Sequence, residues 1–157
     1  MTTQRRDYIL GQIELLGQFV ARLFQARDVA GQHQAMQLAH HLQEKLFAMP
    51  AVKFLRLELD EQIATLMHGE SQATGHEKCL TYAALLKETA RLYQLQGRND
   101  LAAGARQLAL HVALSVALDH PAAPEAVRSL VDALAAVVDR ENLTPPVAEL
   151  LEAYQRL

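Results

Sequence analysis

The side chains able to do chemistry are few in this sequence, and the densest group is His68, Glu70, His76, Glu77 and Cys79. Zinc accepts nitrogen and sulfur donors of this kind. The spacing matches no zinc signature, so the stretch GESQATGHE reads as a solvated polar loop, with Cys79 turned inward as a small hydrophobe. A second group is His40, His41 and Glu44. Di-iron helical bundles need Glu-x-x-His on two helices. The chain has none, only the reversed His41-x-x-Glu44, which reads as an exposed helix face with a local charge pair. Ser71 and Ser129 lack an elbow motif, and Cys79 has no diagnostic context. Ser115 lies one helical turn from His111, a pair that contact with a partner helix explains. The seven glycines are dispersed and none opens a phosphate-binding loop. No cofactor or metal is expected, although a site assembled from distant residues is the alternative, with these histidines, Glu44 and Cys79 as its seeds.

The elements that would position any site are helical. Ile9, Ile13, Leu16, Val20 and Leu23 recur at steps of four and three behind a cap at Thr2 or Thr3, and Tyr8, Leu15 and Phe19 widen the stripe. Gly17 inside that helix suits a close neighbour, and Gly31 is expected to break the pattern. A second helix carries Ala35, Leu38, Leu42 and Leu46 and stops before Pro50. AVKFLRLELD alternates like a strand without a partner and reads as a connector with a short turn. Asp60 caps a short helix with Ile63, Leu66 and Met67 that stops at Gly69. From about His76 a long helix presents Cys79, Tyr82, Leu86, Ala90 and Tyr93 and ends at Gly97. Asn99 then caps a helix with Leu101, Ala105, Leu108, Val112 and Val116, ended by DHPAAPE. Pro124 opens a helix with Val127, Leu130, Leu134 and Val137, and Thr144-Pro145 a last one with Val147, Leu150, Leu151 and Tyr154. The expected fold is all-α, antiparallel hairpins in a bundle of about seven helices, one domain over 1–157.

The composition agrees. A chain of 157 residues is domain-sized, and half its residues are apolar with no Trp, the bulk being Leu, Ala and Val. Net charge is −3 with scattered Lys and Arg, which disfavours nucleic acid as a partner. One cysteine excludes an internal disulfide and suits a reducing, cytoplasmic setting. The N-terminal residues do not read as a signal peptide. Leu101 to Leu118 is interrupted by Arg106, Gln107 and His111, so no membrane span is expected.

Gly31 and Gly97 stand close to two repeat lengths of ~34 residues apart. In ALLKETARLYQLQGRNDLAAGARQLAL the small Ala90, Ala102 and Ala109, the aromatic Tyr93 and the turn residue Gly97 fall where a tetratricopeptide motif has its packing residues. This segment resembles one degenerate tetratricopeptide repeat. Asn99 and Arg106 replace the usual aromatics of the second helix, and the closing proline is absent. Over a longer span, RRDYILGQIELLGQFVARLF with the hairpin that follows is similar to an uncharacterised bacterial family of helical, tetratricopeptide-like proteins. The resemblance implies a fold and no activity. The tetratricopeptide resemblance implies that the inner face of each first helix binds extended peptides. On that face stand Lys87, Arg91 and Gln94, where Lys87 and Arg91, one turn apart, could pair with a carboxylate. Glu88 nearby would neutralise part of that charge. The functional expectation is a protein or peptide interaction module, with the apolar first helix offering a homodimer surface.

Overall fold

The computed structural model describes residues 3–119 and 125–157. The cap assigned to Thr2 and the prolines between α6 and α7 lie outside them. Among the described residues there are eight α-helices and no strand: α1 (Thr3–Leu23), α2 (Val29–Phe47), α3 (Ala51–Leu55), α4 (Leu59–Met67), α5 (Gln72–Leu95), α6 (Asn99–Asp119), α7 (Glu125–Val137) and α8 (Pro145–Gln155), with one 3-10 turn at Arg140–Asn142. The helix beyond the seven expected is α3, in the stretch expected to be a connector. Its alternating leucines imitate a strand, but Pro50 starts a helical turn that drives Phe54 fully into the core. There Phe54 stacks on Phe47 at 3.6 Å between ring centroids, and both rings meet the edge of Tyr82.

Local caps set the boundaries and correct several expectations. Gly31 does not end a hairpin. It is the third residue of α2, and its N–H donates to the Asp28 carboxylate at 2.8 Å, so the turn falls earlier, at 24–28. α4 is capped by Glu58 in a reciprocal box with Glu61 rather than by Asp60, which sits inside the first turn. GESQATGHE is mostly helix: Gly69 has a φ of +72°, Ser71 accepts from the Thr74 N–H at 3.2 Å, and α5 runs from Gln72. α5 ends as expected. Gly97 is left-handed, the Arg98 N–H donates to the Tyr93 carbonyl and the Gly97 N–H to the Gln94 carbonyl, the paired bonds of a Schellman motif. Asn99 is the first residue of α6, not its cap.

α5 is the central helix, packed by α1, α2, α4, α6 and α7, while α6 is further covered by α7 and α8. Two apolar clusters share it. One gathers Ile9, Ile13, Leu16, Val20 and Leu23 of α1 with α2 and with Leu85 and Leu92 of α5. The other gathers Phe54, Tyr82 and Leu86 with α6, α7 and α8. The α1 stripe is narrower than the sequence suggests, since Tyr8 and Leu15 remain 51% and 54% exposed. On α6 the buried face is Ala102, Ala109, Val112, Ala113 and Val116, and Leu101 is exposed. Small side chains at Ala102, Ala109 and Ala113 alternate with buried Leu110 and Leu114 along this helix. On α7 Val131 takes the core place expected of Val137. α6 has a mean hydropathy of 1.4, long and apolar enough by length and composition to cross a bilayer, and here α5, α7 and α8 cover it.

Candidate functional site

The metal-type residues diverge. His68 sits at the end of α4, Glu70 pairs with Lys78 at 3.6 Å, and His76 is buried with Nε2 3.7 Å from the Asp119 carboxylate. Cys79 is fully buried, and burial pushes its thiol up to about 11. His40, His41 and Glu44 are exposed on α2. Among the described residues no three His, Cys, Asp or Glu side chains are grouped to hold a metal ion. The Ser115 hydroxyl donates to the His111 backbone carbonyl at 2.9 Å, the usual back-bond of a helical serine, with no bond to the ring.

Lys87, Arg91 and Gln94 do converge. All three line one open depression of about 390 Å³, together with Phe24 at the end of α1, Arg106 of α6 and Val137 at the end of α7. Steps of four and three along α5 turn them to the same side. Each side chain has a defined setting. The Arg91 guanidinium donates to Glu88 at 2.8 Å and lies over the Phe24 ring, 5.5 Å from its centroid. Arg106 donates to the Gln94 side-chain oxygen. Lys87 has no ion-pair partner among the described residues. Three cations thus stand against the single carboxylate of Glu88, beside exposed Phe24 and Val137, which are 43% and 55% exposed.

Gly17 explains how Glu88 reaches its place. A Cβ on Gly17 would lie 3.2 Å from the Glu88 carboxylate, so the absence of a side chain on α1 leaves the pocket in which this largely buried acid sits. The acid then fixes Arg91 by a charge-assisted bond. Comparison of the chain with protein-family models, curated proteins and solved structures finds no match. What the depression binds is therefore argued from its own chemistry. It offers cationic and amide donors for a carboxylate and an apolar ledge for a hydrophobic side chain. Phe24, Arg106 and Val137 escape a linear reading because they come from other helices. Arg106 alone carries a signal: an antiparallel hairpin turning at Gly97 folds α6 back along α5 and brings 106 beside 94.

Proposed function

We propose that this chain is a protein-interaction module of tetratricopeptide-like organisation, and that it binds an acidic segment of a protein partner through Lys87, Arg91, Gln94 and Arg106. The observation that carries this reading is the convergence of three cations with exposed Phe24 and Val137 in one open depression. The α5–α6 hairpin, with Ala90, Ala102 and Ala109 fully buried and Gly97 at its turn, supports the repeat-like part of the reading. Titration with fluorescent peptides that alternate acidic and apolar residues tests it. Lys87→Glu and Arg106→Glu should each weaken binding by about tenfold, and raising salt from low to high ionic strength should weaken it further. Binding that ignores both substitutions and salt would sink the proposal.

Self-association through α1 is a second reading, favoured by Tyr8 and Leu15, exposed apolar residues seven positions apart on one helix. Lys45 lies over the Tyr8 ring at 4.8 Å, so one face of that ring is already occupied. Sedimentation equilibrium should show a dimer that Leu15→Glu dissociates. A wild-type monomer at high concentration removes this reading.

A further inference from the structure

The molecule also carries a surface of the charge opposite to the basic depression. An open depression of about 400 Å³ is lined by the start of α4, by His111 of α6 and by α8, with exposed Glu58, Asp60 and Glu149 around it. None of these three carboxylates has an ion-pair partner among the described residues. Lys53 and Arg56, the cations nearest to Asp60 in the sequence, do not line it. Its apolar part is Leu59, Pro146 and Leu150. Along the chain, Leu57, Glu58, Leu59 and Asp60 alternate apolar and acidic residues, the pattern that suits the basic depression. The two depressions share no lining residue. Arg106 borders one and His111 the other, and five positions along α6 turn them about 140° from each other at 3.6 residues per turn. The two charges of one copy thus look to different sides of α6, and the pairing they invite is between copies.

We propose that the occupant of the basic depression is a second copy of this chain, which presents Glu58, Asp60 and Glu149 to Lys87, Arg91 and Arg106. This rests on the basic depression being a binding site and names what fills it. Charge complementarity carries the assignment: three cations stand with the single carboxylate of Glu88 on one surface, and three carboxylates stand with no Lys or Arg on the other. Lys and Arg hold their charge at the end of long apolar stems, so they reach across from one open surface to another. Phe24 and Val137 then meet Leu59, Pro146 and Leu150. Each copy offers one surface of each sign, so the contact is heterologous. Pairing two copies leaves one basic and one acidic surface unused, and further copies add until a ring closes.

Sedimentation of the full chain at low salt should show a mass that grows with concentration beyond a dimer, and about 0.5 M salt should return it towards the monomer. Lys87→Gln with Arg106→Gln, and in a second chain Asp60→Asn with Glu149→Gln, should each weaken association about tenfold or more. Glu58 is left in place because it caps α4. Mixing the two variants is the decisive step. Each keeps the surface that the other lacks, so together they should form a one-to-one dimer that does not grow, and that pairing also shows both to be folded. Leu15→Glu, on α1, should leave association unchanged. The self-contact is overturned by a wild type that stays monomeric at about 1 mM, by variants that associate as the wild type does, by a mixture that stays monomeric, or by loss of association in Leu15→Glu. If acidic peptides still bind the wild type and lose affinity with Lys87→Glu, the basic site stands and its occupant is another protein. If they ignore Lys87→Glu and Arg106→Glu as well, both readings fall.

Discussion

Glu88 lies in the seam between α1 and α5, and its neighbours explain why a carboxylate is tolerated there. Gly17 leaves it room, and Arg91 compensates its charge at 2.8 Å. Arg91→Ala should therefore destabilise the fold by about 1–3 kcal/mol, because it strands an acid that has little water around it. Adding Glu88→Gln should recover much of that loss in thermal melts, and a double mutant no more stable than Arg91→Ala alone would show the pair to be uncoupled. For binding experiments Lys87 and Arg106 are accordingly the better positions, since neither holds a buried charge. Cys79 gives a second expectation. Its thiol is pushed up to about 11 by burial, so its thiolate fraction near neutral pH falls about a hundredfold below that of an ordinary thiol. A native chain should react slowly with an aromatic disulfide reagent and a denatured one rapidly. Equal rates would place the thiol outside the core.

The helices are decided by caps and by the size of side chains at each seam. Asp28→Ala removes the bond to the Gly31 N–H and should cost about 0.5–2 kcal/mol. Gly31→Ala acts on the same cap from the other side, since its Cβ would come within 2.5 Å of the Asp28 carboxylate and 2.9 Å of a Leu23 methyl. Denaturant titration should show the two losses to be less than additive. Much of this scale was legible in the sequence: the steps of four and three in α1 and α2, Gly97 after α5, and Pro145 opening α8 all mark what forms. The errors have a common cause. Placing Leu101 on the core face of α6 weights hydrophobicity, whereas the small Ala102, named for its place in the repeat-like motif, is the residue that is buried. Reading 69–77 as loop weights polarity, although Ser71 with Thr74 is a helix start. Reading 51–60 as a connector with a short turn allows for the missing strand partner but overlooks the helical turn after Pro50 that buries Phe54.

Across the whole molecule, the site was legible only where one helix supplies it. Lys87, Arg91 and Gln94 follow from spacing along α5, whereas Phe24 and Val137 join them only once α1 and α7 are laid beside that helix. A different part of the fold sets a pH response. His111, half-buried near Asp60, Glu58 and Glu149, is held below its ordinary value by burial, with Asp60 opposing. Below about pH 6.5 the unfolded chain takes up a proton that the folded chain resists, so stability falls as pH drops through that window. His111→Gln should flatten the loss of Tm between neutral and mildly acidic pH, and an unchanged slope would assign the loss to other groups. The position of α5 has its own consequence for how the chain opens. Leu85 and Leu92 belong to one apolar cluster, and Tyr82 and Leu86 to the other. Neither half can detach without stripping a face of the same helix, which ties them into one cooperative unit. The amides at the middle of α5 should therefore exchange with deuterium last, at the rate set by global unfolding. Those at the outer turns of α1 and α8 should exchange long before.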